Sequence, residues 1–108
     1  MKFISINKWS VSNYQKLKKI WNENPIVSLE IGEMSSYDDM VSFLIDEKDE
    51  FAFAVLSELA EKNNISLESL EKIFYTGNFS CQMAVCTNKN LSQSLKYECA
   101  KICNPTKP

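Results

Sequence analysis

Apolar residues along this chain recur with two different periods, and the switches between them mark out the elements. Residues 2–6, Lys-Phe-Ile-Ser-Ile, are short and β-prone and predict a first strand. Ser12 with Gln15 three residues on has the form of a capping box, after which Tyr14, Leu17 and Trp21 follow at helical spacing until Pro25. Residues 26–31, Ile-Val-Ser-Leu-Glu-Ile, predict a second strand closed by Gly32. Ser36 with Asp39 three later opens another helix, with Met40, Val41 and Leu44 on one face.

The clearest helical period runs from Asp49 to Lys62. Phe51, Val55 and Leu59 recur every four residues beside Ala52, Leu56 and Ala60, while Glu58 and Glu61 fall outside that stripe. Asp49 and Glu50 sit at the positive end of the helix dipole, and Asn63-Asn64 can supply a left-handed stop. Ser66 caps the next helix, with Leu67, Leu70 and Phe74 inward, ending before Gly77. Residues 79–86 place Phe79, Cys81, Met83 and Val85 on one side, the period of a strand. Asn90 or Ser92 then caps a last helix carrying Leu95, Cys99 and Ile102, stopped near Pro105.

The predicted order is β-α-β-α-α-α-β-α. That makes residues 1–108 a small, helix-rich α+β single domain with about three short strands. An all-α, helical-repeat-like reading competes with it, because 79–86 is short enough to be helical. Asn64-Ile-Ser66 with Leu70 and Asn90-Leu-Ser92 with Leu95 are also loosely repeated, a spacing similar to leucine-rich-variant and HEAT-like helix pairs.

Composition narrows the chemistry. All 12 basic residues are lysine, and the chain of 108 residues has no arginine and no histidine. Histidine-dependent triads and dyads and histidine-bearing zinc sites are thereby excluded, and no arrangement of carboxylate, lysine, tyrosine or cysteine signals an enzyme. The expectation is a non-enzyme without cofactor or metal. Cysteines at 81, 86, 99 and 103 are spaced too widely in the first pair for a structural zinc site. No secretory signal or membrane-length apolar run occurs, which predicts a cytoplasmic protein whose cysteines are small reduced hydrophobes, with a disulfide or a metal site among Cys81, Cys86, Cys99 and Cys103 as alternatives. Cys81 and Cys86 would point to opposite faces of a strand, whereas Cys99 and Cys103 would share a helix face.

The net charge of −2 conceals a segregation. Residues 23–72 hold thirteen of the 14 acids against Lys48, Lys62 and Lys72, a local charge of −10. Lysines dominate both ends. Phosphates would be repelled by the middle of the chain, so direct nucleic-acid or membrane binding there is disfavoured and a basic protein partner is favoured.

Ile31-Gly-Glu33-Met-Ser-Ser36-Tyr-Asp-Asp39-Met40 resembles the Ile-Gly-Glu-Tyr-Thr/Ser-Ser-Ile-x-Glu-Leu stretch of ArdA-type antirestriction proteins. Val55-Leu-Ser-Glu-Leu-Ala-Glu61 is similar to that family's Leu-Leu-Asn-Glu-Leu-Ala-Glu motif, although in the family the second stretch directly follows the first and here a helix intervenes. Allowing gaps, the resemblance covers about residues 29–100. It implies an acidic mimic of DNA that occupies the DNA-binding groove of a restriction enzyme or another defence nuclease complex. One domain of this size presents only part of a helical turn's phosphates, roughly 34 Å, unless it forms a homodimer.

The expected function is therefore that of an inhibitor or interaction protein of the kind mobile elements carry. Its partner-binding residues would be Glu33, Asp38, Asp39, Asp46, Glu47, Asp49, Glu50, Glu58 and Glu61, fixed charges that are individually weak and collectively steering. Each could equally be a solvated helix position, and Asp38, Asp39, Asp49 and Glu50 have a further role as first-turn acids. The alternative is a helical-repeat or immunity-type protein that binds one partner through shape and the aromatic anchors Trp9, Trp21, Tyr37 and Tyr75. A lysine-mediated nucleic-acid binder using Lys16, Lys18 and Lys19 would be a third class, without the arginine such surfaces favour.

Overall fold

The computed structural model describes residues 2–23 and 27–103. Strands β1 (Lys2–Ile6) and β2 (Val27–Ile31) lie side by side in parallel, with Lys2 opposite Val27 and Ile6 opposite Ile31. A parallel pair needs a crossover, and α1 (Val11–Glu23) supplies it. Ile4, Ile6 and Ile31 are buried while Ser5 and Glu30 are exposed, so only one sheet face meets the core. Five further helices follow: α2 (Asp38–Glu47), α3 (Glu50–Ala60), α4 (Leu67–Thr76), α5 (Phe79–Cys86) and α6 (Gln93–Cys103).

The core forms around α3. Phe51, Ala52, Val55, Leu56, Leu59 and Ala60 are all buried, as their spacing predicts, and the helix packs against α1, α2, β2, α4 and α5. Asp49 is its N-cap, accepting the Ala52 N–H at 2.8 Å. Lys48, at φ 55, is the only non-glycine residue with positive φ among the described residues. It reverses the chain between α2 and α3, and so short a connection sets the two helices antiparallel.

From α3 onward the chain repeats a helix pair. Asp49 and Ser66 cap α3 and α4; Asn78 and Ser92 cap α5 and α6 in the same order. The loops at one end of these layers are tied to one another by side chains. Asn64 donates to the Met34 carbonyl at 2.9 Å, and Asn90 donates to that of Asn63 at 3.0 Å. Asn88, which is buried, donates to the Ala60 and Lys62 carbonyls at 2.8 and 3.0 Å and accepts the Asn90 N–H at 2.8 Å. Lys62 in turn donates to the Ile31 carbonyl, which joins the helical layers to the sheet. Between α4 and α5 the turn is tight enough that a Cβ on Gly77 would lie 2.5 Å from both the Ile73 carbonyl and the Cys81 side chain.

Several expectations are corrected. Residues 79–86 are helix, so among the described residues the order is β-α-β-α-α-α-α-α with two strands. The apolar run lacks a strand neighbour to pair with, and Asn78 accepts the Cys81 N–H to start a helix that buries Cys81, Ala84 and Val85 on α3 and α4. Phe79, expected inward, is 65% exposed, and Leu67 is 47% exposed at the first turn of α4. Ser10, not Ser12, begins α1, its hydroxyl accepting the Asn13 N–H at 3.1 Å. No left-handed residue follows α3; Glu61 ends it in right-handed conformation and Asn64 is used instead as a tie between loops. Tyr37 stands at the N-cap of α2 without a side-chain cap, while Ser36 accepts the Asp38 N–H. Pro25 and Pro105 lie outside the described residues.

The cysteines also differ from expectation. Cys86 and Cys99 are bonded to each other and join α5 to α6, and Cys81 is free and buried. Helical geometry turns Cys86 away from Cys81 and toward α6. The side chain of Cys103 lies outside the described residues.

Two stability predictions follow from these ties. The disulfide closes a loop of sequence separation 13, so Cys86→Ser with Cys99→Ser should lower stability by about 3 kcal/mol under oxidising conditions. Urea unfolding with and without reductant checks this, since reductant should bring the parent chain down to the variant. Asn88→Ala should cost about 2–4 kcal/mol by leaving three backbone groups without their partner, more than the same change at exposed Asn63.

Candidate functional site: the acidic α2–α3 hairpin

The antiparallel hairpin of α2 and α3 sorts the predicted carboxylates into two groups. Glu33, Asp38 and Asp39 precede or open α2, and Glu58 and Glu61 close α3, so these five lie at the end where β2 finishes and the loops are tied. Asp46, Glu47, Asp49 and Glu50 gather at the opposite end, around the α2–α3 turn. A ten-residue helix separates the groups by about 15 Å.

Two of the nine are committed to the fold. The Asp38 carboxylate accepts the hydroxyls of Ser66 and Ser69 at 2.8 and 2.6 Å, fastening the start of α2 to the start of α4. Those bonds, Ser69 first and Ser66 next, hold its carboxyl below the usual range. Asp49 does more. Beyond capping α3 it accepts the Tyr14 hydroxyl at 2.6 Å and pairs with Lys18 at 2.9 Å. Burial alone would push the Asp49 carboxyl up, but Tyr14, the Ala52 N–H and the Lys18 ammonium outweigh it and the carboxyl stays below its ordinary value. The same contact raises Lys18, while burial and then the Asp49 bond raise Tyr14.

The other seven, Glu33, Asp39, Asp46, Glu47, Glu50, Glu58 and Glu61, are exposed and make no ion pair among the described residues. Glu58 is distinguished by its surroundings: partial burial and then the neighbouring Glu61 push its carboxyl up, with Lys62 opposing. Lys62, whose ammonium also donates to the Ile31 carbonyl, offsets the raising only in part.

Of the expected aromatic anchors only Tyr75 stands out, 60% exposed beside Phe74. Tyr37 is 1% exposed, its hydroxyl accepting the Met34 N–H at 3.2 Å. Trp9 packs on Tyr14 and Phe43, and Trp21 on Phe51.

A feature the sequence reading passed over lies on the outer side of α3. Glu50, Phe53, Ala54, Ser57 and Glu61 line, with α5, two adjoining hollows of about 260 and 390 Å³ that share Ser57 and Ser80. The spacing i, i+3, i+4, i+7, i+11 was available as a second stripe, and Phe53 and Ala54 were apolar residues in excess of those the core needed.

Among the described residues no three His, Cys, Asp or Glu side chains are placed to hold a metal ion. No helix is long and apolar enough to cross a membrane. The Cys81 thiol is pushed up by burial, and Ser57 and the Asn78 contact offset this only in part, which leaves it a poor nucleophile. No family model, curated protein or solved structure matches the chain.

The Asp49 node can be tested directly. Asp49→Ala should destabilise by about 2–4 kcal/mol, combining a lost cap with an unpartnered Tyr14 hydroxyl. Asp49→Asn keeps a capping oxygen and should cost less. A carboxyl held below its unfolded value stabilises fully above about pH 4 and loses that contribution as pH falls through the folded value. The acid limb of the stability curve, measured by urea unfolding from about pH 6 downward, should accordingly be flatter in Asp49→Asn than in the parent.

Proposed function

We propose that the protein acts by binding and not by catalysis, setting an acidic surface against a basic, nucleic-acid-binding surface of a protein partner. The observation that carries this reading is the placing of the nine carboxylates: eight, Asp38 among them, stay exposed and without ion pairs among the described residues, at both ends of one helical hairpin, and only Asp49 is paired with a lysine. Charges held on packed helices need no reordering to meet a complementary surface, so they steer encounter and disfavour partners of like charge. The resemblance of residues 31–40 and 55–61 to antirestriction proteins gives this surface a target class, a restriction or other defence nuclease complex whose DNA-binding groove it would fill.

Such a partner is met in the cytoplasm. There the Cys86–Cys99 pair would be held reduced, and α5 and α6 would rely on packing alone. The second reading, a helical-repeat protein that binds by shape and aromatic anchors, draws support from the repeated helix pairs. It loses Tyr37 to the core, has Trp9 and Trp21 partly buried against that core, and keeps Tyr75.

The readings separate experimentally. Asp39, Asp46 and Glu47 changed together to lysine should leave the far-ultraviolet circular dichroism unchanged. The same variant should abolish recovery of the nucleic-acid-binding partner that the parent chain captures from a bacterial lysate. That partner's affinity for the parent should fall at least about tenfold between roughly 50 and 300 mM salt. Capture that ignores both salt and the lysine variant, but is lost in Tyr75→Ala, establishes the second reading instead.

A further inference from the structure

The groove between α3 and α5 has apolar side chains in both hollows and one carboxylate lining each. Phe53 and Ala54 line the hollow that holds Glu50, Phe79, Met83 and Ala84 line the more apolar hollow that holds Glu61, and the two glutamates lie about three turns of α3 apart. We infer that this groove docks an amphipathic helix of the partner protein that carries lysine or arginine at both ends of its apolar stripe. This rests on the acidic-docking reading and specifies the segment the surface would grip.

Three observations choose that occupant. First, every ionisable side chain lining the two hollows is a carboxylate, and no lysine lines either among the described residues. Second, Glu61, which lines the more apolar hollow, has Glu58 three residues before it on α3, and the Glu58 carboxyl is pushed up by burial and by Glu61. A like-charge pair that includes a lining residue is relieved by an incoming cation and worsened by an acidic or second-copy segment bearing the same charges. Third, two of the lining polar residues are already engaged: the Ser57 hydroxyl donates to the Phe53 carbonyl at 2.9 Å, and Asn78 is occupied as the cap of α5. A ligand would meet apolar side chains and Ser80 between two charged ends. Anchors at i, i+3 or i+4, and i+7 on a three-turn helix match that length, the usual form of helix-in-groove recognition.

The test uses the full chain. A display library of randomised 16-residue helix-forming peptides is selected on the immobilised protein, and the enriched peptides are synthesised with a fluorescent label and titrated by anisotropy. Enriched peptides should share apolar residues at helical spacing between lysine- or arginine-bearing ends. Phe79→Ser and Glu61→Lys should each weaken them at least tenfold; the first residue is exposed and the second change suits a helix C-terminus, so both variants keep the fold. The inference is overturned if no peptide enriches, if enriched peptides lack basic ends, or if the two variants bind them unchanged. It is likewise overturned if sedimentation finds a dimer that Phe79→Ser dissociates, since a second copy then fills the groove. Should the peptides fail while partner capture still depends on Asp39, Asp46 and Glu47, only the groove assignment falls; should both fail, the acidic-docking reading falls with it.

Discussion

Apart from Glu50, Ser57 and Glu58, every residue of α3 is apolar, and the chain can satisfy them only by surrounding that helix. Burying a Phe, Val or Leu side chain contributes about 1.5–3 kcal/mol. Phe51, Val55, Leu56 and Leu59 are all removed from water, so α3 is where α2, β2, α4 and α5 gain by meeting. The sheet and the helix pairs share this one core; neither is a separate unit. Two strands with one exposed face would not stand alone in water, and their stability is borrowed from α3 and from the Lys62 tie to Ile31.

Polar side chains then fix how the layers stack. Hydrophobic contact is non-directional and would tolerate sliding of α5 along α3, whereas the bonds from Asn88 to Ala60 and Lys62 accept one offset. Asn64 and Asn90 perform the same service one layer apart, each reaching back to a carbonyl of the preceding loop. This explains why the Asn-x-Ser stretch recurs in the chain: the Asn ties loops and the Ser caps the helix that follows.

Those same residues mark where sequence reading succeeded and where it stopped. The burial of α3, the acids at its start, the cap at Ser66 and the two N-terminal strands were legible because each is written in local spacing. Residues 79–86 were not, since alternating and helical templates fit an eight-residue apolar run equally well and the choice depends on its neighbours: α3 and α4 offer a helical socket and no strand edge. The Asn63-Asn64 pair was misread for a similar reason, because its role lies in a contact across thirty residues with Met34. The disulfide between Cys86 and Cys99 depends likewise on helical geometry that the strand reading denied. For the candidate site, the acidic segment was legible as charge. The commitment of Asp38 and Asp49 to contacts within the fold was not, because it requires Ser66, Ser69, Tyr14 and Lys18 to be brought near.

That commitment bears on what the acidic surface can do. A flexible acidic segment would lose conformational freedom on binding, and the loss would offset much of its electrostatic gain. Here two of the nine carboxylates are spent holding the two ends of α2 in place, Asp38 against α4 and Asp49 against α1. The remaining seven are thereby presented at fixed separations. Replacing all nine as if they were equivalent would therefore confound loss of charge with loss of geometry. In the proposed interface the salt dependence would report the eight carboxylates that carry no ion pair, Asp38 included, because only Asp49 has a lysine partner within the fold.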